Sequence, residues 1–344
     1  MKRFLILLAL LFLLGALAQD SDAGEATETT QEETTQEETS GETIEETTEE
    51  ASGTEEEDPN ERVISIDSSG GTQDGNLRFG PIQYAHPDPE GIEATVSNLT
   101  IFASQAELRG PEGEEIALTA AKGRRTATFT SGVRVTRNRL TSQGSDLTYT
   151  EEDGLGVLVG GVAITVAPKD EDDDPVLVDA DTAEFDVDTD VSISRGNVQL
   201  ENGNQSAESD ELVFEENRNL GRLTNDTLQV TVRRVDDDGD ELIVTADVIR
   251  VLTDEDKLLA TGNVTIVDGS ITSKGDIVFF DDTVSRAEII GVENLATSVD
   301  EEEGFEIAGD RIEQRTDLDT VEIIDDSVPS EFTEDEFQLV SEQG

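Results

Sequence analysis

The sequence predicts an all-β chain, a long antiparallel succession of strands folded over on itself, and three observations carry that expectation. A small residue followed by Asp is answered fifteen positions after the Asp by Gly or Asn at Asp146/Gly161, Asp181/Gly196, Asp210/Asn225, Asp247/Gly262 and Asp276/Gly291. Runs rich in Val, Ile, Thr and Phe between these points alternate with period two, as Ala183 and Phe185 do with Glu184 and Asp186. Such alternation marks half-buried strands. No sustained 3.6-residue stripe occurs between Glu61 and Asp326.

The fixed interval means that one supersecondary unit is used repeatedly. Ser145, Ala180, Ser209, Ala246 and Gly275 precede the five Asp residues, and a sixth pair runs imperfectly from Gly309-Asp310 to Asp325. Fifteen residues hold a strand, a tight turn and a returning strand. The middle of each interval is a polar cluster suited to an exposed turn: Glu151–Gly154, Asp188–Asp190, Glu215–Asn217, Asp254–Asp256 and Asp281-Asp282. Successive Asp positions fall 35, 29, 37, 29 and 34 residues apart, which predicts long connections along one edge and short ones along the other. A Gly at a fixed point suggests a recurring bulge or bend. The phase of alternation slips at Gly196-Asn197, between Val191/Ile193 and Val198/Leu200. A strand succession this long must close as a barrel or fold over as a sandwich or jelly roll. The sharp bends favour the folded-over form, whose ends stay open to another chain's strand.

Composition places this fold outside the cytoplasm. Lys2-Arg3, the apolar run Phe4–Leu14 and Ala16-Leu17-Ala18 read as a signal peptide over residues 1–18, cleaved before Gln19. The alternative is a retained membrane anchor. Residues 19–61, rich in Thr and Glu with no Lys or Arg, cannot bury enough apolar surface to order and read as a disordered acidic spacer. Residues 62–114 then supply an N-terminal extension with the first strands, 115–326 the repeat body, and 327–344 a C-terminal tail. The net charge is −58, and the chain has no Cys, so no disulfide supports it. Eighteen of the 81 acidic residues fall in 20–61 and Lys2 and Arg3 in the leader, leaving 63 acidic against 21 basic residues beyond the spacer. Nucleic acid is excluded as a partner, because phosphate contacts need clustered Lys and Arg.

At Gly196-Asn197-Val198 and Gly262-Asn263-Val264, each paired with a small-Asp strand, the chain resembles the LptA/OstA family. Ala180–Asp186 and Ser273–Asp281 carry the same likeness, which extends over about residues 115–326. The resemblance implies a folded-over antiparallel β-jelly roll with an apolar interior groove. It implies a periplasmic protein that carries lipopolysaccharide or a related envelope lipid between membranes. Its partners would be that lipid, further copies of itself joined end to end, and the similar jelly rolls of LptC and LptD.

Catalytic chemistry finds no support. Nucleophilic arrangements need a suitably placed His or Cys. The single His86 lies in Tyr84-Ala85-His86-Pro87-Asp88-Pro89 and reads as an exposed loop residue. Paired carboxylates are uninformative among 81 acidic residues. The chain therefore reads as a non-enzyme without a cofactor. Asp170–Asp174 and Asp236–Asp240 offer hard oxygen ligands and leave room for weak divalent-cation binding. Neither has EF-hand spacing, since aligning Gly239 to the loop glycine puts Arg234 and Thr245 at the end positions. Candidate lipid-groove residues are the inward members of the alternating strands: Phe185, Ile193, Val198, Phe214, Val248, Val264, Ile277 and Phe279. Two other readings remain: an acidic, structural or adhesive β-repeat protein of the envelope, with calcium, and a membrane-anchored LptC-like component.

Overall fold

The structure, a computed structural model, describes residues 62–169, 173–236, 239–325 and 327–342. The leader and spacer expected at 1–18 and 19–61 lie outside these residues. Ten short strands come first: β1 (Ser65–Asp67), β2 (Thr72–Gly75), β3 (Ile82–Ala85), β4 (Ile92–Val96), β5 (Leu99–Ala103), β6 (Gln105–Arg109), β7 (Thr126–Thr130), β8 (Val133–Arg137), β9 (Leu140–Gly144) and β10 (Asp146–Thr150). Four strands of 11 or 12 residues follow, β11 (Leu155–Val166), β12 (Val176–Asp186), β13 (Val191–Asn202) and β14 (Gln205–Glu215). Next are β15 (Leu220–Thr224), β16 (Val230–Val235), β17 (Glu241–Ala246), β18 (Val248–Leu252) and two more long strands, β19 (Lys257–Asp268) and β20 (Ile271–Asp281). The series ends with β21 (Arg286–Ile290), β22 (Ala296–Asp300), β23 (Phe305–Gly309), β24 (Arg311–Arg315) and β25 (Thr320–Ile323). Among the described residues no helix is long and apolar enough to cross a membrane.

All pairings are antiparallel, and they sort the strands into two layers. One runs β2-β3-β6-β7-β10-β11-β12-β13-β14-β15-β18-β19-β20-β21-β24-β25. The other runs β1-β4-β5-β8-β9-β11-β12-β13-β14-β16-β17-β19-β20-β22-β23. The six long strands belong to both layers, one half in each.

One contact shows that these strands are folded. The 11 residues of β12 would span about 33 Å if straight. Arg137 lies on the ladder beside the Val176 end, through Leu140 and Val166. Its guanidinium nevertheless donates to the carbonyl of Asp186, at the other end of β12, over 2.6 Å. The two halves must therefore face each other, giving the folded-over antiparallel β-jelly roll. Their inner faces make one continuous apolar core that runs from Ile64 to Ile312.

The bend is what the Asp–Gly/Asn interval encodes. The register slips between Asp179 and Thr182, Arg195 and Val198, and Thr261 and Val264. At Gly196-Asn197 φ is 77° and 47°, and at Gly262-Asn263 it is 79° and 48°. Two successive left-handed residues re-aim the strand, and Gly followed by Asn is the least strained way to achieve it. The Asp on the adjacent strand ties the bend down. Asn197 donates to Asp181 Oδ2 and Asn263 to Asp247 Oδ2, each over 2.8 Å. Asp210 Oδ2 accepts from Asp226 N at 2.9 Å, while Asp276 Oδ2 accepts from Val292 N and Glu293 N at 2.6 and 3.0 Å. A Cβ on Gly262 would stand 2.5 Å from Asp247 Oδ2, so the small residue and the carboxylate require each other.

Three expectations need correction. At the first pair the bend partners are Ser145 and Gly160: Ser145 Oγ donates to Gly160 O over 3.0 Å, while Asp146 sits in the regular ladder opposite Val159. Gly161 has open space where a side chain would be.

The second correction concerns Asn225 and Gly291, which are not bulges within a strand. At both, the strand ends, and a loop (225–229 or 291–295) turns the corner to the other layer. Neither residue takes a left-handed φ, because the change of direction is spread over five residues. Asn225 works through its side chain instead. Its Oδ1 accepts from Asp210 N at 2.5 Å and its Nδ2 donates to Gln229 O at 2.9 Å. Gly291 is required by close backbone approach, since a Cβ there would stand 2.1 Å from Asn294 O.

Third, the long and short connections do not divide between edges. The row of turns at 151–154, 187–190, 216–219, 253–256, 282–285 and 316–319 is uniform in length. Lengths vary within the facing row, from 203–204 to 167–175, and at the corner loops.

Near the start, Glu151 accepts from the backbone N–H groups of Ile64, Gly123 and Arg125 at 2.9–3.0 Å and pairs with the Arg125 guanidinium. Among the described residues β1 and β2 at this end, and β23 and β25 at the far end, are each paired on one side, and Phe305, Leu318 and Ile323 are exposed at the far end.

Candidate functional site

The interior between the layers is the largest apolar feature, and the structure divides the eight groove candidates between two faces. Phe185, Val198, Phe214 and Val264 point between the layers and are buried. Ile193, Ile277 and Phe279 belong to a second apolar cluster on the opposite side of the first layer. Val248 is half-buried and shares that side, since the next residue along β18, Ile249, points inward. The correction has a physical cause. Period-two alternation names an inner face only when the outer one is polar. Here β13 turns Ser192 and Ser194 inward and Val191 and Ile193 outward, because another segment covers the outer face. In β20, Val278 and Phe280 face inward while Ile277 and Phe279 face out.

The interior is tightly closed. A cavity of about 20 Å³, lined by Leu200, Ala207, Val232 and Val251 among others, has room for about one water molecule and not for an acyl chain. An acyl chain fits between the layers only if they part.

Where they could part is set by polar contacts. On one side each long strand passes continuously from layer to layer through its bend. On the other, the two rows of turns meet, and among the described residues they are joined through side chains. Arg137 donates to Glu216 Oε1 at 3.0 Å and to the carbonyls of Asp186, Thr189 and Val191. Arg139 donates to Asn219, Lys169 pairs with Asp254 at 2.7 Å, and Arg234 pairs with Asp282, which also accepts from Gln205 at 3.2 Å. Asn98 donates to Asp190 and Gln314 to Asp268, both at 3.0 Å. The result is a polar seam along the mouth of the sandwich. It had no signal in the sequence, because its members lie far apart along the chain.

Titration of the seam has a definite sign. Burial pushes the Glu216 carboxyl above its ordinary value of 4.5, and Arg137 offsets this only in part. Burial raises Asp268 against the opposing hydrogen bond from Gln314. Desolvation, with the crowded carboxylates of Asp282, Asp173, Asp281 and Asp254, raises Asp256. A folded-state pKa above the unfolded one means that the folded form holds the proton more tightly. That stabilisation is complete below the unfolded pKa and lost as pH rises through the folded pKa. Asp276, held low by the N–H groups of Val292 and Glu293, behaves oppositely: its contribution is present above 3.8 and lost as pH falls through its lower folded pKa. The two windows do not overlap. A thermal scan by circular dichroism should therefore give a higher Tm at about pH 5 than at about pH 7.5, and a fall below about pH 4.

His86 is tucked in rather than exposed, its side chain only 10% accessible. Its ring lies against Gly70, Gly71 and Gly91, where no Cβ obstructs it, and Nδ1 accepts from Asp88 N over 3.0 Å. Within the two Asp runs, 170–172 and 237–238 lie outside the described residues. Among the described residues no group of three or more His, Cys, Asp or Glu side chains is placed to hold a metal ion.

With the geometry in place, comparison with known proteins yields a match over residues 177–281 to the family described as LptA/(LptD N-terminal domain) LPS transport protein. This stretch contains both Gly-Asn-Val bends and five of the six long strands in full or nearly so. Among solved structures, the chain is similar to LptH, the LptA-homologous periplasmic component of the conserved lipopolysaccharide transport device from Pseudomonas aeruginosa. The identity is 16%, covering 35% of this chain and 84% of that one, with a TM-score of 0.33. No curated protein matches the chain.

Proposed function

We propose that this chain, whose residues 177–281 are of the LptA/OstA type, is an exported, non-enzymatic protein that carries or bridges lipopolysaccharide or a related envelope lipid. One observation supports the reading above the rest: the apolar core runs unbroken from Ile64 to Ile312, and among the described residues one of its long sides is closed by side-chain contacts. Backbone ladders resist parting as a unit, whereas a row of separate polar bridges can open locally. Acyl chains would enter through that seam and lie along Phe185, Val198, Phe214 and Val264. Each buried methylene contributes about 0.8 kcal/mol, so a continuous apolar lining binds without a specific polar contact. The anionic head group would stay outside. The unpaired edges of β23 and β25 offer strand addition to another copy or to a similar jelly roll.

The test is site-specific photocrosslinking in the native envelope. A photoreactive residue at Phe185 or Phe214 is expected to yield a lipid adduct by mass spectrometry, and one at Phe279 to yield none. An intact, folded protein with no adduct at either inner position overturns the proposal. A large calcium-induced rise in Tm alongside that result would favour a structural envelope role.

A further inference from the structure

The outer face of the first layer carries a second apolar cluster that the proposed lipid path does not use: Val213, Leu220, Leu252, Leu259 and Phe279, with Ile193, Ile277 and Ile290 at its margin. The segment 327–342 lies across it from β21 to β14. At a strand spacing of about 4.8 Å, these five steps amount to roughly 24 Å. No strand in this segment joins the ladder. It is held as a bound peptide is held, by anchors and by donors aimed at it. Phe332 stacks on Phe279 with centroids 5.2 Å apart, and Phe337 and Leu339 are each only 1% exposed. Arg218 donates to the carbonyls of Glu336 and Gln338, Arg286 pairs with Glu331 at 2.8 Å, and Arg222 and Arg250 both hold Glu342 at 2.9 Å.

The charge pattern is the second observation. In a chain with 81 acidic and 23 basic residues, four arginines gather around this one strip. The segment they meet contains Glu331, Glu334, Asp335, Glu336 and Glu342 and no basic residue. Moreover, the Nε atoms of Arg222, Arg250 and Arg286 are buried without an acceptor. The strip thus has more donor capacity than its present occupant uses.

We propose that this strip is a docking site for an acidic, phenylalanine-bearing linear segment of a partner protein, and that the chain's own residues 327–342 occupy it in cis. Phe332 and Phe337 mark the aromatic anchor positions, and the arginines read carboxylates and backbone carbonyls between and beyond them. The occupant in cis lowers the apparent affinity for any competitor by the fraction of time it is bound. The inference does not depend on the lipid reading.

The test uses the full chain and a labelled synthetic peptide of residues 327–344 as the probe. Phe332→Ala/Phe337→Ala, which loosens the cis segment, is expected to bind the probe at least about tenfold more tightly than the unaltered chain. Binding should weaken as salt rises from about 50 to about 500 mM, and should be lost when Arg218→Glu and Arg222→Glu are added. Hydrogen exchange on the unaltered chain is the second measurement. The segment should exchange faster than β12 and β13, through local opening. Protection equal to those strands, or no probe binding to the folded double variant, overturns the proposal. Neither outcome changes crosslinking at Phe185, which keeps the two tests separate.

Discussion

Replacing Arg137 by Met is expected to lower the unfolding free energy by about 3–5 kcal/mol, the cost of breaking a buried ion pair from one side. The Arg137 side chain is inaccessible, and Glu216, 4% exposed, would keep a buried carboxylate without the cation that pairs with it. One oxygen of that carboxylate, Oε2, already lacks a partner. The carbonyls of Asp186, Thr189 and Val191 would lose their donor in the same step. Urea unfolding should show a lower midpoint at an unchanged slope, the signature of a stability change without a change in the surface exposed. Arg137→Met/Glu216→Leu should recover a large part of the loss, since an apolar pair of similar volume leaves no stranded charge. A single variant within about 1 kcal/mol of the parent would mean that the seam contributes little to holding the layers together.

Phe185→Ala is the second large effect, expected at about 3–5 kcal/mol, because a fully buried ring is deleted where both layers pack against it. Phe279→Ala removes the same side chain from the outer face, where it meets Phe332 and Phe337. Its main signature should be faster hydrogen exchange in 327–342 before global unfolding begins. If both substitutions instead lowered the global midpoint equally and left the C-terminal segment protected, the division of the eight candidates between two faces would be wrong.

These contrasts show what local pattern can and cannot reveal. The Asp–Gly/Asn interval was legible because a change of layer sets a polar anchor, an Asp carboxylate at four of the five pairs, on one strand against a permissive residue on its neighbour, and antiparallel pairing fixes their separation in sequence. The phase slip at Gly196-Asn197 recorded the same bend in a second way. What the interval did not distinguish is a left-handed bulge from a corner loop. Gly196 and Gly262 make the first, while Asn225 and Gly291 open the second, and the Asp partner serves either. The slip of one residue at Ser145/Gly160 leaves no trace in the sequence, because Gly160-Gly161 satisfies the backbone requirement in either frame. The inward expectation for Ile193, Ile277 and Phe279 fails because nothing near them in sequence announces that Phe332, Phe337 and Leu339 cover the other side. The seam was invisible for a like reason: Arg137 and Glu216 are 79 residues apart, and neither sits in a recognisable pattern.

The bends have a further consequence for size. Between one bend Asp and the next, the chain crosses each layer twice, so a unit extends the body by two strand spacings, about 9–10 Å. Its width across the layers is set elsewhere, by the five or so residues from bend to turn. Reach and girth are therefore independent quantities in this molecule. A gain or loss of whole units would lengthen or shorten the body while leaving every inward side chain aimed as before, so the distance it spans can be tuned without redesigning what it encloses.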